Sequence, residues 1–310
     1  VSQSPMVPPA APPAGHPALE IEHLGLADGR RIDYQWAWDY QREVHARVAT
    51  GELPARVLLL EHEPVYTAGR QTLPEERPFD GTPVIDVDRG GKITWHGPGQ
   101  LVGYPIVRLP SRVGVVDHVR RMEQAVIDLL AELGIAAGRV EGRTGVWLPA
   151  VPSRPVTTSA AGIWDADPAR AERPAPDAAA RLIPDGRPAP AVDSAPDHRA
   201  VPAAAPSAAP VPPSLRNVIA APARPERKIC AIGIRVARRT TMHGFAVNVT
   251  NSTAAFENII PCGISDAGVT SIAAELGAAP SLPELAAQLT PHLRRCLDYE
   301  IPLSDVVRRG

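Results

Sequence analysis

Between residues 151 and 225 the chain holds 16 of its 36 prolines, interleaved with alanine and with no apolar period. Proline fixes φ and removes a backbone donor, and a segment without spaced apolar side chains has little to bury against its ordering entropy. The stretch therefore reads as a disordered insertion, with Trp164 its lone aromatic. Residues 1–18 share the Pro/Ala character and read as a disordered tail. Residues 19–150 and 226–310 must then build the core together, as one domain interrupted by the insertion.

Within those two segments the pattern alternates between helix and strand. Ile32, Trp36, Tyr40, Val44 and Val48 recur at helical spacing, with Asp33 to cap and Gly51 to stop the helix. Residues 56–62 predict a buried strand and residues 63–69 a loop. Asp117 opens a second helix with an apolar stripe of Val119, Met122, Val126, Leu129, Leu130 and Leu133, closed by Gly134. Residues 142–148 predict a turn and strand, 227–236 and 244–249 two further strands, and 258–264 a turn-bearing segment. A short helix follows after Ser271, and the last amphipathic helix runs from Leu282 to Leu297. Strands joined by hairpins, with a few helices, predict an α+β fold of mixed sheets packed with helices.

A formal net charge of -2 gives no basic field for nucleic acid or a membrane surface. No apolar run approaches the ~20 residues that span a bilayer. No secretory leader is expected at the start, and three widely spaced cysteines predict reduced thiols and a cytoplasmic protein. Neither HExxH nor CxxC occurs, so no metal is expected.

The densest local signal is Arg89–Ile106, where five of eighteen residues are glycine and two are proline. It is not GxGxxG and no GKS or GKT follows, so a nucleotide-phosphate loop is unsupported. It is either a plain hairpin or a backbone that comes close to something bound. Cys296 falls on the stripe of the last helix, and Cys230 is mid-strand in phase with Ile232 and Ile234, both core positions. Cys262 lies in a turn between Pro261 and Gly263, where a thiol is either inert or reachable and activated by free backbone N–H groups. His96 and His243, each in a His-Gly pair, are either satisfied turn histidines or the lining of a site.

Five segments, in order, resemble the lipoyl(octanoyl) transferase family. They are residues 61–69, the block 89–106, Thr144-Gly145-Val146-Trp147, residues 227–249, and Pro261-Cys262-Gly263-Ile264 with Val269-Thr270-Ser271. The resemblance implies a biotin/lipoate protein ligase-like catalytic domain and no cofactor. It implies a nucleophile at Cys262 and a catalytic lysine at Lys228. Substrate-lining positions fall on Arg89, Gly90, Gly91, Lys92, Ile93, Thr94, Trp95 and His96, on Ala231, Ile232 and Gly233, and on Gly244, Phe245 and Ala246. Trp95 stands where the family has Tyr or Phe, and is expected to alter the acyl pocket. The insertion falls where most members have a short turn.

The implied reaction moves an octanoyl group from octanoyl-acyl carrier protein to a lysine of lipoyl domains. The acceptors would be those of 2-oxoacid dehydrogenase complexes and the glycine cleavage H protein, the first step of endogenous protein lipoylation. Thiol chemistry suits a thioester donor, because one thioester is exchanged for another and the acyl group stays activated without ATP. Lys228 serves as charge partner or as base, His96 and His243 as groups that orient the thioester or the incoming amine, and Phe245, Val247, Trp95 and Tyr104 as walls for the chain. The alternatives are an ATP-using lipoate or biotin ligase, which needs no cysteine, and a non-catalytic acyl-binding scaffold. The presence of Cys262 and Lys228 argues against both.

Overall fold

The computed structural model describes residues 19–79, 81–152, 155–156, 219–220, 224–259 and 267–307. The expected tail and most of the expected insertion lie outside the described residues, and so does Cys262. The chain divides into Val1–Pro152 with Ala223–Gly310, and Ser153–Pro222.

The first unit begins with β1 (Glu20–Leu24), α1 (Tyr34–Thr50), β2 (Arg56–Leu60), β3 (Val65–Ala68), β4 (Val84–Asp86), β5 (Thr94–His96) and β6 (Gln100–Ile106). It continues with α2 (Val115–Glu132), β7 (Gly138–Val140) and β8 (Arg143–Leu148). In the second unit β9 (Pro155–Val156) pairs antiparallel with β10 (Ile219–Ala220). The first unit resumes with β11 (Arg227–Ala237), β12 (Thr240–Asn248), β13 (Gly268–Val269), α3 (Ile272–Leu276), α4 (Leu282–Cys296) and α5 (Leu303–Val306).

The main sheet has the order β1-β2-β6-β12-β11-β8-β7, with β13 beside β11. Its pairs are antiparallel except β1–β2 and β11–β13. A second sheet, β4-β3-β5, carries the start of the glycine-rich block. This is the expected α+β architecture.

Helices cover both faces of the main sheet, which explains why β2 is an unbroken apolar run. Val57 and Leu59 enter one core with Met122, Val126 and Leu129 of α2 and Leu289 and Leu293 of α4. Leu58 and Leu60 enter the other with Ala37, Val44 and Val48 of α1. Full burial of each such leucine contributes about 1.5–3 kcal/mol.

The helix signals hold with local corrections. Asp33 caps α1 by accepting the Trp36 N–H at 2.8 Å, and Gly51 ends it at φ 81°. Trp36 is 52% exposed, whereas Ala37, Trp38 and Gln41 are buried. Four-residue steps drift about 40° each around a helix of 3.6 residues per turn, so a stripe drawn in fours leaves the core. The second helix starts at Val115, and Asp117 is instead its third residue, accepting the Gly114 N–H at 3.2 Å. Residues 65–68, expected in a loop, form β3, which pairs with both β4 and β5. The basic side chains at the β11–β12 turn are tied back to the fold. Arg235 pairs with Asp88, Arg239 donates to Leu109 O at 3.0 Å, and Arg238 and Arg239 turn the β11–β12 hairpin at φ 50° and 61°.

Candidate active site

Lys228 owes its direction to an irregularity in β11. It pairs with Trp147 of β8, but the next pair is Cys230 with Val146, so Ile229 is an extra residue in the ladder. Such a bulge re-aims the flanking side chains. Ile229 and Cys230 both turn into the α2/α4 core. Lys228 turns to the other side, 9% exposed, with Nζ 4.6 Å from the Trp147 ring centroid. On its other flank β11 meets β13, where Lys228 pairs with Val269 and accepts the Thr270 N–H at 3.0 Å. Lys228, Trp147, Thr94, Gln100, Asn248 and Ala267–Val269 line a cavity of about 20 Å³.

The glycine-rich loop is held from within by Arg89. Its Nη1 donates to Gly90 O and Lys92 O, at 3.1 and 2.7 Å. Its Nη2 donates to Thr67 O and Thr67 Oγ1, at 2.8 and 3.0 Å. A Cβ at Gly69 would collide with Gly91 O, so only glycine lets β3 approach the loop. Lys92 is paired with Glu76.

Beside Lys228 a larger cavity, about 500 Å³, runs along β11 and β12, within the range of small-ligand sites. Its wall includes Arg89, Gly90, Gly91, Lys92, Thr94 and His96, then Lys228, Ala231, Ile232 and Gly233, then His243, Gly244, Phe245 and Ala246. Of the described positions that the sequence nominated for the site, Ile93 and Trp95 are not in this wall. They are buried with Tyr66, Phe256 and Ile259, and the Trp95 ring meets Phe256 edge-on at 5.9 Å. Val247, a nominated acyl wall, lies instead in the α2/α4 core. Tyr104 and Phe245 line the cavity.

Three histidines surround the site and burial lowers the pKa of each. His62 Nδ1–H donates to Ile32 O at 2.8 Å, so Nε2 accepts from the Tyr104 hydroxyl at 2.7 Å, and burial lowers its pKa to about 4. His96 stacks on Tyr34 with centroids 6.0 Å apart, and burial lowers it to about 3. His243 bonds Asp88 through Nε2 at 2.8 Å, while its N–H donates to Gln41 Oε1 at 3.0 Å. Burial lowers His243, and the His243 hydrogen bond holds Asp88 below the usual carboxylate range. His243 pairs with Ile234, six residues along β11 from Lys228. At about 3.3 Å per residue that is roughly 20 Å away. The structure thus puts His243, expected as an orienting group, at the far end of the cavity from Lys228.

Cys230 and Cys296 are buried. Burial pushes the Cys296 thiol up to about 11 and the Cys230 thiol higher still, so neither is poised as a nucleophile. Two site residues escaped the sequence reading, Gln100 and Asn248. Their signal was a buried amide inside an otherwise apolar strand run, at the start of residues 100–107 and within 244–249. Tyr34, at the first turn of α1, is a third.

The lipoyl protein ligase A/B catalytic domain family matches residues 33–294. The octanoyltransferase of Cutibacterium acnes is 45% identical over 295 residues, 92% of this chain and 83% of its own length. That of Streptomyces coelicolor is 50% identical over 270 residues, covering 86% and 89%. The crystal structure of a lipoate-protein ligase A bound with ATP aligns at TM-score 0.52 over 91% of this chain and 86% of that one, with 10% identity, a likeness of fold alone. By these matches the chain is a transferase that belongs to the lipoyl(octanoyl) transferase family.

Proposed function

We propose that the protein transfers an octanoyl group from octanoyl-acyl carrier protein to a lysine of lipoyl domains through a thioester on Cys262. The observation that supports this most is the surrounding of Lys228. The lysine is held against Trp147 and shares a cavity with Ala267–Val269. Cys262 lies five residues before Ala267. The two other thiols are buried and raised, which leaves Cys262 as the candidate nucleophile. The adjoining cavity of about 500 Å³ has room for an acyl chain.

In the first step the Cys262 sulfur attacks the donor thioester, a C–S bond forms as another breaks, and the carrier thiol takes up the proton. In the second, the lysine amine attacks the acyl-enzyme. A C–N bond forms, the C–S bond breaks, and a proton passes from nitrogen to the departing sulfur. An amide is more stable than a thioester, so no nucleotide is consumed.

Incubation with octanoyl-acyl carrier protein, without ATP or Mg²⁺, is expected to raise the intact mass by about 126 Da as a thioester forms. Peptide mapping is expected to find the adduct on Cys262. Cys262→Ala is expected to lose transfer by at least about 10³-fold; full-speed transfer in that variant would refute the proposal. Lys228→Arg keeps the charge and removes the base, so a fully active Arg variant excludes obligatory proton abstraction by Lys228.

A further inference from the structure

Gln100 and Asn248 are 2% and 4% exposed, side by side across the β6–β12 pairing. Their hydrogen bonds run in one direction from a fixed backbone carbonyl. Asn248 Nδ2 donates to Thr270 O at 2.9 Å, which makes Asn248 Oδ1 the acceptor. That oxygen receives Gln100 Nε2 at 2.9 Å and Asn251 Nδ2 at 3.1 Å. Gln100 Nε2 also faces Trp95 O at 3.3 Å. With its nitrogen turned to these acceptors, Gln100 presents Oε1, which can only accept, to His96 Nδ1 at 2.8 Å. His96 Nδ1 therefore carries the proton and Nε2 carries a lone pair.

That lone pair is available. His96 lines the large cavity, and among the described residues its hydrogen-bond partner is Gln100 alone. Burial, with a pKa near 3, keeps the ring neutral throughout the working range. The donor thioester offers only acceptors, its carbonyl oxygen and its sulfur, so an imidazole lone pair has nothing to bind there. As an ammonium Lys228 offers only donors, and as a base its single lone pair is committed to the proton it abstracts, so in neither role does it hold the other N–H groups of a second amine. A primary amine attacking an acyl carbon must aim its own lone pair at carbon and rest its N–H bonds on acceptors.

We propose that His96 Nε2 accepts a hydrogen bond from the incoming primary amine, and that Gln100 and Asn248 are positioning residues that fix the His96 tautomer. This rests on the acyl-transfer reading above and assigns the acceptor side of that site. In the step itself one proton leaves the nitrogen for the departing sulfur, and the His96 hydrogen bond holds another N–H without taking its proton.

Long-range ¹H–¹⁵N spectra of the full chain labelled with ¹⁵N-histidine are expected to show His96 protonated at Nδ1 and bare at Nε2 from pH 6 to 8. Gln100→Leu is expected to move the proton to Nε2. In single turnovers with octanoyl-acyl carrier protein and a purified lipoyl domain, Gln100→Leu and His96→Leu should slow amine transfer about tenfold more than enzyme loading. His96→Gln, whose Oε1 restores an acceptor, should recover part of that loss. An Nε2–H ring in the wild-type chain overturns the proposal, as does normal transfer in a Gln100→Leu variant whose tautomer has switched. A wild-type chain that never loads refutes the acyl-enzyme reading itself and the proposal with it.

Discussion

Gly145 has φ 112°, and a Cβ there would strike Cys230 O and sit 3.6 Å from Lys228 Cε. Its N–H donates to Glu123 Oε1 at 3.0 Å, and Glu123 is itself buried between Arg120 and Arg139. A side chain at this position meets both backbone strain and a steric wall. Gly145→Ala is expected to lower unfolding stability by about 1–3 kcal/mol, read as a fall in the urea midpoint, and an unchanged midpoint would contradict the strain argument. Single residues differ widely in how far sequence exposes them. Resemblance nominated Lys228 and the glycine loop, but the bulge at Ile229 that aims the lysine depends on a strand partner 81 positions away, Trp147 to Lys228. Gln100 and Asn248 stayed hidden because a buried amide declares itself only when its partners are known.

At the scale of elements, β11 is tied to α3 by a two-pronged ion pair. Arg227 Nε and Nη2 donate to Glu275 Oε1 and Oε2 at 2.7 and 2.8 Å, and the Thr270 hydroxyl donates to Oε1 at 2.5 Å. The Arg227 hydrogen bonds lower the Glu275 pKa from 4.5 to about 2. The folded chain thus keeps this carboxylate ionised in a window where the unfolded chain binds a proton. Its contribution is complete above about pH 4.5 and is lost as pH falls toward about 2. The urea midpoint is expected to drop through that window, and Glu275→Gln is expected to flatten the drop. An equally steep fall in the variant would remove Glu275 from the account. Elements with local signals, α1 with its Asp33 cap and α4 with its apolar stripe, were legible in sequence. β3 was not, because four residues next to Pro64 are a strand only when β4 and β5 flank them.

For the molecule as a whole, the composition change at residue 151 lies next to the division of the chain after Pro152, while the order of strands across the sheet had no local trace. The interruption begins at a closed base: Val151 N–H donates to Arg224 O at 2.8 Å, and Arg224 N–H to Val151 O at 2.9 Å. A four-residue loop can follow such a pair, and loop-closure entropy grows with length. Replacing residues 153–222 by two residues is expected to leave the melting temperature at or above that of the full chain and to preserve octanoyl transfer. A collapse in the melting temperature would show that the core depends on the removed segment. The Arg89 guanidinium has a further consequence. Because it grips carbonyls of its own loop and of Thr67, that side of the cavity is a finished mould before any guest arrives. The backbone freedom surrendered there was given up during folding, so a flexible ligand entering the cavity forfeits mainly the freedom of its own torsions.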